Sequence, residues 1–141
     1  MHSRPDILFA TATCTMKTKN PTVEDVTAIH RIIAYLVGTK ALALKLGSDE
    51  DIVLYGTVDS SYANHDDAKS HTGFTLQIGK DSGVITATSK KQTITADLST
   101  IAKFIDTHIV AKDILWCRRL LFSLGYPQLQ PTLLFKDKNQ Q

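Results

Sequence analysis

Thr72-Gly73-Phe74-Thr75-Leu76-Gln77-Ile78-Gly79-Lys80-Asp81-Ser82-Gly83-Val84-Ile85-Thr86-Ala87-Thr88 contains two short runs rich in Thr, Ile, Val and Phe, separated by residues with turn chemistry. β-Branched and aromatic side chains fit a pleated, half-buried surface, and Gly79 to Gly83 supplies the backbone freedom of a hairpin. Strands joined so closely pair antiparallel, so this stretch commits the chain to a sheet. Upstream, Ile52 to Asp59 forms a further run of the same kind. Residues 52 to 88 are therefore expected to form an antiparallel meander of three strands.

Downstream of the meander the period changes. From Ala96 to Leu124 neither Gly nor Pro intervenes, and Leu98, Ile101, Ala102, Ile105, Ile109, Trp116 and Leu120 recur at helical spacing. This predicts one long helix with those residues, Trp116 included, on its core-facing arc. Gly125 and Pro127 stop it, and Thr132-Leu133-Leu134-Phe135-Lys136-Asp137 has the apolar density of a last strand.

Upstream of the meander, residues 4 to 17 open with Pro5 and Asp6, suited to a helix first turn, and carry Ile7, Leu8, Ala10, Thr11 and Cys14 at helical spacing. Asn20-Pro21 breaks the chain. Thr22 then caps a second helix, with Glu24 and Asp25 in its first turn, Val26, Ile29, Ile33, Leu36 and Val37 along it, and its end near Gly38. Leu42, Leu44 and Leu46 alternate with Ala41, Ala43 and Lys45, which predicts a strand. The expected order is ααβ followed by βββαβ, divided at the polar stretch of residues 47 to 51.

The composition suits a single modest core: 141 residues, 43% of them hydrophobic and 21% charged. Sixteen basic residues against fourteen acids leave a net charge of +2, too balanced to indicate a nucleic-acid partner by itself. Cys14 and Cys117 are far apart and have neither CxxC nor His spacing, so no disulfide framework or zinc site is indicated and a reducing, intracellular setting is expected. No apolar run is long enough to cross a bilayer. His65 and His71 flank acids in a polar loop without the spacing of metal ligands.

The residues with candidate chemistry are carboxylates at strand ends. Asp59 is expected to close the first strand of the meander, on the same side as Val53, Tyr55 and Thr57, and Asp137 to close the last strand. If those strands lie side by side through the helical crossover, the two carboxylates converge at one edge, an arrangement able to hold a divalent metal. On residue type alone, such aspartates equally serve to end strands and accept turn hydrogen bonds.

Several segments, in order, resemble one family. Val58-Asp59-Ser60-Ser61-Tyr62-Ala63 is similar to the Asp-Ser-Asp-Trp-Ala type segment that opens the RNase H domain of copia-type retrotransposon Pol polyproteins. Asp67-Ala68-Lys69-Ser70-His71-Thr72-Gly73-Phe74 resembles the family's Asp-Arg-Arg-Ser-Thr-Ser-Gly-Tyr. Ile85 to Gln92 resembles its Ile-Ser-Trp-Ser-Ser-Lys-Lys-Gln, and Ile114-Leu115-Trp116-Cys117-Arg118-Arg119-Leu120-Leu121 its Ala-Leu-Trp-Leu-Arg-Arg-Leu-Leu. Upstream, Arg4-Pro5-Asp6-Ile7, Asn20-Pro21-Thr22 and Tyr35-Leu36-Val37-Gly38-Thr39 resemble segments that follow the polymerase palm.

The resemblance implies residues 1–48 as a helical connection segment from the end of a reverse transcriptase region. It implies residues 49–141 as an α/β RNase-H-like domain: a mixed sheet of three antiparallel strands, a long helix and a parallel strand, shortened at its C-terminal end. It also implies hydrolysis of the RNA in RNA–DNA hybrids by Mg²⁺ ions about 3.5–4 Å apart. Asp59 matches the first metal-binding Asp, and Asp137 the Asp of the family's Asp-Asn-Gln, with Lys138 in place of the Asn. The family's Ser-Thr-Glu-Ala-Glu-Tyr aligns with Ser99-Thr100-Ile101-Ala102-Lys103-Phe104, so Ile101 and Lys103 replace both glutamates. A unit cation about 4 Å from a divalent ion, at an effective dielectric of 20, is opposed by about 8 kcal/mol.

Asp106 is the nearest possible substitute, offset along the helix by about 4.5 Å and rotated by about 60°. Misplacement of about 1 Å can already cost about a hundredfold in rate. Ser89, Lys90, Lys91 and Gln92, expected in the turn before the long helix, are the candidate phosphate contacts, with exposure as their ordinary alternative. The leading expectation is a degenerate RNase-H-like fragment without hydrolytic activity. The alternatives are an active Mg²⁺-dependent ribonuclease H using Asp59, Asp137 and Asp106, and a co-opted binding or scaffold module. The expected partners are an RNA–DNA hybrid and the rest of a reverse transcriptase.

Overall fold

The computed structural model of the chain describes residues 3–47, 52–61, 70–92 and 99–136. They divide into two compact units, Met1–Leu44 and Lys45–Gln141.

The first unit is a helical pair. A 3-10 turn, Pro5–Ile7, leads into α1, Leu8–Met16, and α2 covers Val23–Gly38. Pro5 falls at a position where its fixed φ suits a helical start and its missing N–H leaves no bond unmade. Thr22 caps α2 through a reciprocal box. The Asp25 amide donates to the Thr22 hydroxyl at 3.3 Å, and the Thr22 amide donates to the Asp25 carboxylate at 2.8 Å. Those hydrogen bonds hold the Asp25 carboxyl below its ordinary range, as the bond from the Thr22 amide favours the ionised form most. Ala28, Ile32 and Leu36 are the half-buried apolar residues of α2, while Ile7 is the fully buried hydrophobic of this unit among the described residues.

The segment expected as a strand at residues 42–46 is not one. Leu42 and Leu46 are 56% and 60% exposed, and no ladder forms there. Alternation makes a strand only where a sheet edge accepts its backbone in a ladder; here the Gly83 amide donates to the Lys45 carbonyl at 2.8 Å and the Gly47 amide to the Ser82 hydroxyl at 3.2 Å, both Gly83 and Ser82 lying in the turn of residues 79–83 rather than in a strand.

The second unit is a four-stranded sheet with a long helix. Its strands are β1 (Leu54–Ser61), β2 (His71–Ile78), β3 (Val84–Lys91) and β4 (Leu133–Lys136), and α3 is Ser99–Ser123. Spatial order is β3-β2-β1-β4, with β1–β2 and β2–β3 antiparallel and β1–β4 parallel. A parallel neighbour requires a long crossover, and α3, 25 residues and about 37 Å of helix, supplies it. Three antiparallel strands, a helix and a parallel strand make this an α/β, RNase-H-like fold.

The core lies between one side of the sheet and one side of α3. Leu54, Val58, Phe74 and Leu76 from the sheet meet Val110, Cys117 and Leu121 from the helix, with Ile109, Ile114 and Leu134 packed against them. Burial raises the Cys117 thiol above its ordinary pKa, and the nearby Asp113 charge adds to the effect. Gly56 leaves room for the side chains of Leu134 and Leu76: a Cβ there would sit 2.8 Å from Leu134 Cδ1 and 3.1 Å from Leu76 Cδ2.

The helix face differs from the expected arc. Trp116 and Leu120 are 62% and 44% exposed, so Trp116 is outside the core, and the buried line runs through Val110, Cys117 and Leu121. Apolar residues occupy more than one side of α3, since Phe104, Leu115 and Phe122 are exposed too. Spacing alone therefore permits several arcs, and the fit to Leu54, Val58 and Leu76 selects one.

Gly125, at φ +90°, ends α3 in a Schellman motif: the Tyr126 amide donates to the Leu121 carbonyl at 2.8 Å and the Gly125 amide to the Phe122 carbonyl at 3.0 Å. The chain is then led to β4 by side-chain ties. Arg118 donates to the Gln130 carbonyl at 2.8 Å, to the Thr132 hydroxyl at 3.0 Å and to the Gln128 carbonyl. Among the described residues no helix is long and apolar enough to cross a membrane.

Candidate functional site

The site expected from sequence centres on the β1–β4 neighbourhood. Asp59 is exposed and lies within β1 rather than at its end, because pairing with β2 continues through Ser60↔Thr72 to Ser61↔His71. On the β4 side the register stops at Val58↔Lys136. Asp59 is the next residue of β1 after that last described pair. Asp137, next in sequence after Lys136, lies outside the described residues.

Strand alternation puts Asp59 on the side of β1 opposite Leu54, Gly56 and Val58, the side that packs α3. Its cross-strand neighbour is Gly73, and the next along that row is Ser89. Gly73 places no side chain between Asp59 and Ser89 in that row, and the Ser89 hydroxyl lies 2.7 Å from His71 Nε2. The same side of the sheet carries the stacked rings of Tyr55 and Phe135, centroids 6.3 Å apart at 20°.

Lys103 and Asp106 both belong to the N-terminal part of α3; their side chains lie outside the described residues. Among the described residues no three His, Cys, Asp or Glu side chains gather as metal donors; Asp137, expected beside Asp59, and the Asp106 side chain lie outside them.

The Ser-Lys-Lys-Gln segment is placed differently from expectation. Ser89, Lys90 and Lys91 are the last residues of β3, not a turn, and pair with Gly73, Thr72 and His71. Ladder bonds come from the backbone, so polar side chains did not end the strand. In a strand, consecutive residues face opposite sides, so Lys90, exposed, and Lys91, half-buried, leave β3 on opposite sides of the sheet. Gln92 is buried: its amide N–H donates to the Ser70 carbonyl at 2.8 Å and its Nε2 to the Thr72 hydroxyl at 3.1 Å. His71 opens β2 rather than lying in a loop, is 4% exposed, and its Nε2 lies 2.7 Å from Ser89 Oγ. His65 lies outside the described residues.

Two polar constellations escaped the sequence reading. In the first unit Arg4 donates to both oxygens of Asp6, the shortest bond 2.8 Å, and to the Thr39 hydroxyl and carbonyl at 2.7 and 3.2 Å. The Tyr35 hydroxyl donates to Asp6 at 3.0 Å, and the Arg4 guanidinium lies 5.6 Å from the Tyr35 ring centroid. Hydrogen bonds from Arg4, then from Tyr35, pull the Asp6 carboxyl down to about 2, overriding the opposing desolvation. Arg4 itself is raised, chiefly by its bond to Asp6. Arg-Pro-Asp-Ile and Tyr-Leu-Val-Gly-Thr are separate segments of the sequence but one cluster in space, tying the chain start to the α2 C-terminus. The second constellation is Gln128, whose amide accepts from Leu54 N at 3.0 Å and donates to the Ile52 carbonyl at 2.8 Å. No local pattern marks a glutamine in a loop for that role.

The mixed sheet with its helical crossover places the second unit in the RNase-H-like α/β class. No protein-family model matches the chain. It is similar to the retrovirus-related Pol polyprotein from transposon TNT 1-94 of Nicotiana tabacum, 33% identical over 127 residues, covering 89% of this chain and 9% of that protein. It is also similar to the Pol polyproteins from transposons RE1 and RE2 of Arabidopsis thaliana, 29% and 26% identical over 136 residues, covering 96% of this chain and 9% of each. The chain corresponds to a segment of a copia-type retrotransposon Pol polyprotein, and spans about 9% of the length of these relatives.

Proposed function

We propose that this Pol-polyprotein segment holds an RNase-H-like domain, residues 49–141, that does not hydrolyse RNA, preceded in residues 1–48 by the end of a reverse transcriptase region. The observation that carries the reading is Ser99-Thr100-Ile101-Ala102-Lys103-Phe104 at the start of α3. Where the resemblance places two glutamates, this chain has Ile101 and Lys103. Two-metal hydrolysis needs carboxylates around both ions, and a lysine there substitutes repulsion for a ligand.

The sheet supports the remainder of the family arrangement. Pairing of β1 with β4 ends at Val58↔Lys136, one residue in sequence before Asp59 and Asp137 respectively. Asp59 lies in β1 one residue past that pairing, and Asp137 is the residue after Lys136 in sequence. Asp106 is three residues beyond Lys103, a separation of about 4.5 Å and about 60° on the helix, which is too far to stand in the same place. Lys90, exposed at the end of β3, remains available as a point charge for a hybrid's phosphates, so binding to an RNA–DNA hybrid outlasts catalysis in this reading.

The test is incubation of the purified chain with a labelled RNA–DNA hybrid in Mg²⁺ and separately in Mn²⁺. The expected result is intact RNA. Metal-dependent cutting that disappears in Asp59→Asn would overturn the proposal in favour of an active ribonuclease H.

A further inference from the structure

We draw no further inference here: the strongest candidate, the outer side of α3 where Phe104, Leu115, Trp116 and Phe122 stand exposed beside Lys112 and Arg119, carries no proposal because nothing in the structure shows what covers it.

Discussion

Replacing Gln128 tests how β4 is brought to β1. The Gln128 side-chain amide acts as a stand-in peptide group: Oε1 accepts from Leu54 N at 3.0 Å and Nε2 donates to the Ile52 carbonyl at 2.8 Å, just before the parallel ladder begins at Tyr55↔Leu133. Gln128→Met keeps the length of the side chain and removes both bonds. Each net hydrogen bond contributes about 0.5–1.5 kcal/mol, so losing the pair costs about 1–3 kcal/mol. Leu54 is 0% exposed, and stranding its N–H places the cost toward the upper end.

Gln128→Glu separates the two bonds. A carboxylate still accepts from Leu54 N but faces the Ile52 carbonyl without a proton, so its folded-state pKa rises above the ordinary glutamate value of about 4.3. A group raised in the folded state contributes stability below its unfolded pKa and loses it as pH rises through the folded one. The Gln128→Glu deficit relative to wild type is therefore small below about pH 4 and grows toward neutrality. Urea unfolding followed by circular dichroism measures both variants, and hydrogen exchange of the Leu54 amide reads the bond directly. If Gln128→Met stays within about 0.5 kcal/mol of wild type, the range of an inconsequential surface change, and Leu54 exchange is unchanged, the clamp does not hold β4 in place.

Other expectations follow from the same structure. Leu76→Ala, at a fully buried position beside Val58 and Leu134, should cost about 2–5 kcal/mol in the same urea assay. Asp6, held to about 2 against an ordinary 3.8, contributes stability that is complete above 3.8 and lost as pH falls through about 2. NMR titration of its carboxyl should show that low value in wild type and a return toward 3.8 in Arg4→Gln. Trp116, the sole tryptophan and 62% exposed, should emit at solvent-like wavelengths and be quenched readily by acrylamide. Blue-shifted, protected emission would instead put it on the core-facing side of α3.

Local chemistry alone determined much of the architecture. The Thr22–Asp25 capping box, the stop at Gly125 and the hairpin across Gly79 to Gly83 depend on residues a few positions apart, so they are legible in order along the chain. The meander, the long helix and the last strand followed from their periods. Of the candidate site, sequence resemblance picked out Asp59 and Lys103 as residues to compare with the family's carboxylates, but their mutual geometry is not a property of any short segment.

What required tertiary structure has a common cause: each feature depends on a partner distant in sequence. Leu42, Leu44 and Leu46 alternate like a strand, yet no sheet edge takes them up. Spacing allowed Trp116 into the core, and the shape of the sheet preferred Val110, Cys117 and Leu121. Polar Ser89 to Lys91 continued β3 because β2 offered backbone partners as far as His71. Arg4 with Thr39, and Gln128 with Leu54, join groups 35 and 74 residues apart. The sequence by itself determined which elements form and where most of them stop; the tertiary fold decided which faces are buried and which polar groups pair, because burial and long-range hydrogen bonding are decided only when distant segments meet.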